Sequence, residues 1–376
     1  MNFDVNEKES ALVARLKKVI DQDAENKLKG LRTGDPLECL NLFMDYLGRL
    51  AETGYLEPGV EDGKHSTTLV AAQEALATMS PSLFLAIESS TRLFGRLVSA
   101  YGTPEQKEEI LPLLLQGRYI GCVGLTEGGM SIETQPFDTT AASSGNDFIV
   151  TGSKDHVINA PMADRIAVIT RADENILVTL ARTESSGITV GERYTGIGYE
   201  GTPVASVHLD RVTVAAQEVM GPFDPPDILG DLRRWEDQVL TSASLGLMNR
   251  SFQAALDHAR KHRRGGKPII AYQEVGFKLA EMLTIRQTAQ LLAYRAAWMD
   301  ESGDRERDIL VSCAKTFCAE SAEQVASQAL QVLGANGLAK GNPAEESYGS
   351  AKYLQVAGTS SEISRVNIGD RILERA

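Results

Sequence analysis

The stretch YGTPEQKEEILPLLLQGRYIGCVGLTE, Tyr101 to Glu127, carries an amphipathic helix that runs into a short apolar strand and stops at a Thr-Glu pair. It marks the point where the periodicity of the chain changes. From Glu7 to about Gly117 apolar residues recur at helical spacing, as in Leu12, Val13, Leu16, Val19 and Ile20, or Leu83, Leu85, Ile87, Leu93 and Leu97. From about Ile120 to Gly221 short β-branched and apolar runs alternate with Gly, Asn and Asp: FIVTGSKDHVIN, DRIAVITRA, NILVTLAR, GITVGERY and ASVHLDRVTV. These predict a small antiparallel β-domain. After the proline-rich link PFDPPD, Pro222 to Asp227, helical periodicity returns, with long segments around Gln238 to His262, Gln273 to Met299 and Asp308 to Leu333 and a last helix from near Ser360. The expected division is 1–118, 119–222 and 223–376.

With 376 residues, 43% hydrophobic and 24% charged, the chain can bury a large core spread over two or three domains. Cys39, Cys122, Cys313 and Cys318 show neither CxxC nor Cys/His ligand spacing, and no signal-like segment opens the sequence. A cytoplasmic protein without a structural metal is therefore expected. The longest apolar runs, such as Ile110 to Leu115, fall far short of the roughly 20 residues of a membrane span. A formal net charge of −13 argues against general nucleic-acid binding. The local exception is RKHRRGGK, Arg260 to Lys267.

Several motifs, in order and over nearly the whole chain, resemble the acyl-CoA dehydrogenase superfamily. The opening junction is similar to the family's YGTEEQKxxYLPxLxxGexxgxxALTEP. GLTEGGMSIETQPFDTTA, Gly124 to Ala141, keeps the family spacing from Thr-Glu to Thr-Thr-Ala, and GSKDHVINAPMAD, Gly152 to Asp164, looks like GxKxxITNGxxAD. SVHLDRVTVAAQEVMG, Ser206 to Gly221, and QVLGANGLAKGNPAEESYGSAK, Gln331 to Lys352, are similarly recognisable. The resemblance implies an α+β fold: an N-terminal helical domain, a middle antiparallel β-barrel domain and a C-terminal four-helix bundle. It also implies FAD, with a carboxylate removing the thioester's α-proton while the β-hydrogen leaves as hydride to flavin N5.

Most relatives carry that carboxylate in YEGTSEIQR before the last helix. Here the segment is QVAGTSSEISR, Gln355 to Arg365, and Gly358 stands at the position of the glutamate. Other relatives place the base on an earlier helix reading LxLERLVLAGGPLGLM. This chain has LRRWEDQVLTSASLGLM, Leu232 to Met248, so the resemblance makes Glu236 the candidate base and pairs it with Gly358. A charged run such as Asp231 to Asp237 is otherwise a solvated helix face. The arginine that commonly follows the base is replaced by Asp237, which would raise the pKa of Glu236 if the two carboxylates interact.

By the same resemblance Leu125 and Thr126 contact the pyrimidine edge of FAD. The loop usually written PxAGSD is here Gly128 to Glu133, with Ser131 present and Ile132 in place of its serine. The aromatic residue and threonine that flank the flavin correspond to His156 and Ile158. Relatives complete a neighbour's FAD site with RxxFGxPI and QxxGGxG. These correspond to HRRGGKPI, where His262 stands for the arginine and Arg263 and Arg264 are candidate substitutes, and to QVLGANG, which supplies Gln331, Gly334 and Ala335. The bland reading of the basic loop is surface charge at a helix C-terminus. Ser360 and Glu362 match positions that touch the adenosine half of FAD.

The resemblance thus implies an oxidoreductase, a homodimer or homotetramer, acting on a small acyl thioester held by coenzyme A or an acyl carrier protein, with an electron acceptor the motifs do not specify. The loosened motifs look most like biosynthetic members that oxidise carrier-bound units to hydroxymalonyl or aminomalonyl extenders for polyketide assembly. Two alternatives stay open: an FAD-poor subunit of a heteromeric dehydrogenase, and a flavin-dependent oxygenase on the same fold. Arg260, Lys261, Arg263, Arg264 and Lys267 form a candidate docking patch for an acidic carrier protein.

Overall fold

The computed structural model describes residues 7–20, 24–30, 36–128 and 137–374. Helices α1 (Glu7–Val19), α2 (Ala24–Gly30), α3 (Pro36–Glu52), α4 (Thr67–Met79), α5 (Pro81–Glu88), α6 (Arg96–Tyr101) and α7 (Pro104–Leu115) come first, with a π-helical stretch, Ser89–Gly95, joining α5 to α6. The opening motif shows how sequence sets these boundaries. Thr103 accepts the Gln106 N–H while the Gln106 side chain accepts the Thr103 N–H, a reciprocal cap with Pro104 in the first turn. Gly117, at φ +69, ends the helix and turns the chain into the first strand.

That strand, β1 (Gly121–Gly124), is followed by β2 (Thr140–Ser144), β3 (Asp147–Ile158), β4 (Arg165–Ala172), β5 (Asn175–Arg182), β6 (Ile188–Val190), β7 (Val204–Ala215) and β8 (Val219–Phe223). Pairing runs β6-β7-β3-β2-β4-β5-β8, with β1 joined to β4. The expected all-antiparallel sheet is corrected at two places, since β1 and the first residue of β2, Thr140, both pair with β4 in parallel. The reason lies in the junction: β1 arrives from the helices and is pressed onto them, where any Cβ on Gly121 would stand 2.0 Å from the Phe94 ring. Of GITVGERY only Ile188–Val190 pairs.

The remaining chain is α8 (Pro225–Lys261), a hairpin of β9 (Arg263–Arg264) and β10 (Lys267–Pro268), then α9 (Gln273–Ser302), α10 (Arg307–Leu333), α11 (Pro343–Val356) and α12 (Ser361–Glu374). Helix α8 starts well before the expected Gln238 because Pro225 and Pro226 occupy its first turn, where a missing N–H costs nothing. Helices α8 to α11 form the four-helix bundle, with α10 packed on the other three. Buried residues of all three regions, among them Leu47, Val150 and Leu240, join one core. Helix α4 meets α8 closely at Gly246, where a Cβ would lie 2.4 Å from Ala77 Cβ. No described helix is long and apolar enough to cross a membrane.

Candidate active site

Helix α8 turns opposite faces to two partners. Trp235, Gln238 and Ser242, spaced i, i+3 and i+7, face the N-terminal helices. Arg96 lies over the Trp235 ring at 4.8 Å and donates to Gln238 Oε1 at 3.0 Å, and the Ser242 hydroxyl donates to Gln73 Oε1 at 2.8 Å. Glu236, Asp237 and Leu240 are thereby directed to the loop between α11 and α12. There Gly358 has φ +62, and a Cβ on it would stand 3.4 Å from Glu236 Cγ, 2.8 Å from Leu240 Cδ1 and 2.7 Å from Asp237 Oδ1. The glycine and the glutamate that the sequence pairs therefore meet at one spot.

Glu236 is partly buried. Burial first, and then the neighbouring Asp237, push its carboxyl up to about 7, while Lys315 and Arg233 pull the other way. Asp237 is 3% exposed; burial raises it to about 6 against the pull of Lys315 and the Thr359 hydrogen bond. Tyr353, from α11, also faces Glu236, and burial followed by that carboxylate keeps its phenol protonated. A carboxyl poised near neutrality, with its proton easily gained or lost, suits a general base.

A cavity of about 560 Å³ opens beside this group, lined by Asp227, Asp231, Arg233, Arg234, Asp308, Asp370 and Arg371, with Asp237 and Thr359 on its wall.

In the β-domain the Asp155 N–H donates to the Thr126 carbonyl at 2.8 Å, which brings Leu125 and Thr126 beside His156 and Ile158. The loop is anchored from within: Lys154 Nζ donates to Glu127 Oε1 at 2.6 Å and to the Leu125 carbonyl at 3.2 Å, and Glu127 accepts the N–H groups of Asp138 and Thr139. Thr126 and His156 are exposed. His156 sits at a bulge with φ +54, its ring stacked on Tyr194 at 4.6 Å. Ser131 and Ile132 lie outside the described residues.

At the far end of α8 a second cavity, about 570 Å³, gathers His258, His262, Arg264, Lys278, Gln331, Gly334 and Ala335. His258 and His262 stack with ring centres 4.8 Å apart. Arg263 does not line this cavity; its guanidinium donates to the Gly266 carbonyl at 2.9 Å. Successive strand residues point to opposite sides, so only one of the two arginines faces inward. Ser360 and Glu362 are not there either: the Ser360 hydroxyl accepts the Ile363 N–H at the start of α12, and Glu362 is exposed in the first turn. Four cationic or protonatable side chains and a glycine with open space around it are suited to the anionic, close-lying part of a dinucleotide. Among the described residues no group of His, Cys, Asp and Glu could hold a metal ion.

Sequence reading missed Lys315, Thr359, His258 and Tyr194 as neighbours of the candidate residues. Only Lys315 left a trace, as a lone cation among small and apolar residues in SCAKTFCA.

Family models match consecutively: acyl-CoA dehydrogenase N-terminal domain at 14–118, middle domain at 122–212 and C-terminal domain at 235–373. The chain is 28% identical to a cyclohexane-1-carbonyl-CoA dehydrogenase of Geobacter metallireducens over 94% of its own length and 92% of that protein's. It is 27% identical to a 3-(aryl)acrylate reductase of Clostridium sporogenes, over 83% and 84%. The solved prolyl acyl carrier protein oxidase AnaB superposes with a TM-score of 0.84 at 25% identity, covering 98% of this chain and 99% of that one.

Proposed function

This chain belongs to the acyl-CoA dehydrogenase family, whose members are FAD-dependent oxidoreductases, and on that premise we propose that it oxidises a small acyl thioester with Glu236 as the base. One observation carries this reading: Gly358 and Glu236 face one another, so a glutamate on α8 reaches the spot that a glutamate on the α11–α12 loop would fill. The carboxylate of Glu236 takes the α-proton; bound FAD supplies the hydride acceptor, N5. The residues proposed to hold FAD are Leu125, Thr126, His156 and Ile158 on one side. His262, Arg264, Gln331, Gly334 and Ala335 are proposed to serve a neighbouring subunit, which makes the active form at least a dimer.

For the thioester arm we propose the cavity beside Asp237 and Thr359. Its charged lining includes Asp227, Asp231, Asp237, Asp308 and Asp370 against Arg233, Arg234 and Arg371. An acidic excess of that kind favours an arm with a single phosphodiester, as on a carrier protein, over the polyphosphate of coenzyme A. The likeness to a prolyl acyl carrier protein oxidase supports the same choice and is compatible with a biosynthetic role. The basic loop Arg260 to Lys267 is a poor docking patch for this chain's own site, because roughly 25 helical residues at about 1.5 Å each separate it from Glu236 by close to 40 Å.

The test is anaerobic bleaching of the flavin by butanoyl thioesters of an acyl carrier protein and of coenzyme A. We expect faster bleaching with the carrier-bound form, and none with either in Glu236→Gln. A protein that stays colourless with excess FAD would transfer the reading to a subunit of a heteromeric enzyme.

A further inference from the structure

Asp237 stands where relatives carry an arginine, yet it is 3% exposed. Its Oδ1 accepts the Thr359 N–H at 3.0 Å. From the opposite side Lys315, itself 0% exposed, donates its ammonium to the Thr359 carbonyl. One residue is therefore gripped at both of its backbone polar groups by a buried carboxylate and a buried ammonium from two different helices. The residue before it is Gly358, held at φ +62 with Asp237 Oδ1 and Glu236 Cγ filling the space a side chain would need.

We propose that Asp237 is a positioning residue for Glu236: with Lys315 it clamps Thr359, fixes the Gly358 backbone against the base, and sets where the base carboxylate meets the substrate's α-carbon. The proposal rests on the reading of Glu236 as the base. A buried charge is costly unless it is paired and hydrogen-bonded, and here two buried charged groups hold the backbone of one loop residue. The clamp has a second effect on the reaction. Asp237 lies next to Glu236 and disfavours its ionised form, whereas Lys315 from α10 and Arg233 from α8 favour it; Tyr353 from α11 contributes a neutral phenol. Glu362 and Glu320, together with both carboxylates, hold the Lys315 ammonium in its charged form against its burial.

The two effects separate in a proton-exchange experiment that needs no hydride transfer. Acetyl-pantetheine has α-hydrogens but no β-carbon, so the FAD-loaded protein in D2O can exchange its α-protons for deuterium and do nothing more. Mass spectrometry follows the exchange against pD in wild type, Asp237→Asn, Asp237→Ala, Lys315→Met and Glu236→Gln. Asparagine keeps an oxygen for the Thr359 N–H but loses the charge, so its plateau rate should stay within about tenfold of wild type while its acid limb moves lower by roughly one pH unit. Alanine loses the grip, and its plateau should fall about 10²-fold with no pH restoring it, as expected for a misplaced catalytic group. Lys315→Met should move the acid limb the other way, to higher pH. Circular dichroism and bound flavin identify variants that have lost the fold, and Asp237→Asn carries the test if the other two do. If Asp237→Asn and Asp237→Ala both show the wild-type profile while Glu236→Gln is inert, the clamp is refuted and the base stands. Exchange that persists in Glu236→Gln removes the base reading and this inference with it.

Discussion

The two ends of α8 answer the loss of a familiar residue in different ways. Near its start the motif resemblance sets Gly358 at a glutamate's position and Asp237 at an arginine's, and both positions are met in space: Glu236 faces the glycine, and Lys315 and Thr359 complete the surroundings of the aspartate. At its end the resemblance sets His262 at an arginine's position, and what it has there is a stacked histidine on an exposed surface. Buried departures have to be compensated by their neighbours, because an unpaired charge there costs several kcal/mol. Exposed ones need not be, since water and salt take up the difference.

The largest expected effect falls at the buried end. Glu236→Gln keeps the shape of the side chain but cannot accept a proton, so flavin bleaching by a carrier-bound butanoyl thioester should fall by about 10²–10⁴-fold, the usual worth of general-base assistance. Bound flavin and thermal stability should survive. An undiminished rate would break the contrast at its strongest point, leaving Glu236 as one more acid on a charged helix.

Next comes the crowding at Gly358. Alanine there must adopt φ +62 and place its Cβ 2.7 Å from Asp237 Oδ1 and 2.8 Å from Leu240 Cδ1. Backbone strain and overpacking together should cost about 2–4 kcal/mol in urea unfolding. The same geometry argues that a glutamate installed at 358 in the Glu236→Gln protein will fail to restore activity without a shift of the loop. A Gly358→Ala protein as stable as wild type would show that the loop is not clamped.

A smaller effect is a pH dependence of stability. The folded Glu236 value of about 7 lies above its ordinary 4.5, so the folded state favours the neutral carboxyl. The associated stability is full below the ordinary value and is lost as pH rises through about 7. Relative to wild type, Glu236→Gln should therefore gain about 1–2 kcal/mol at pH 8, discounted for partial exposure, and the gap should close on acidification. Equal unfolding midpoints at both ends of the pH range would place Glu236 in water.

This contrast also marks how far the sequence can be read. The order helix, sheet, bundle is legible because periods of 3.6 and 2 are local properties, and the Gly358 and Glu236 pair is legible because two aligned motifs each show one anomaly. Lys315 is not, since nothing within its own helix says that its ammonium will meet a carbonyl 44 residues further on. Nor is the choice between Arg263 and Arg264, which depends on the hairpin formed by Arg263–Arg264 and Lys267–Pro268. Asp237 was visible only as a misfit, because its meaning lies in contacts and not in its neighbours along the chain. Proline fared likewise at the start of α8, where the link-like PFDPPD divides between the end of β8, the N-cap Asp224 and, from Pro225 to Asp227, the first turn of a helix.

The smallest expected effect is at the exposed end, and its sign follows from the histidines. Burial, followed by the His262 ring stacked at 4.8 Å, lowers the pKa of His258. If the cavity of His258, His262, Arg264 and Lys278 receives the FAD diphosphate of a neighbouring subunit, the His258 imidazolium strengthens binding and, with its pKa lowered, is already being lost as pH rises below the ordinary value of 6.5. Apparent FAD affinity, followed by flavin fluorescence on dilution, should fall by about twofold to fivefold between pH 5.5 and pH 8, since exposed pairs contribute little. His262→Arg places beside the pocket a charge that does not titrate in this range and should tighten binding at pH 8. A wild-type affinity independent of pH, or one that rises with pH, would mean that the diphosphate does not lie against this pair. The two ends of α8 would then differ in function as well as in exposure.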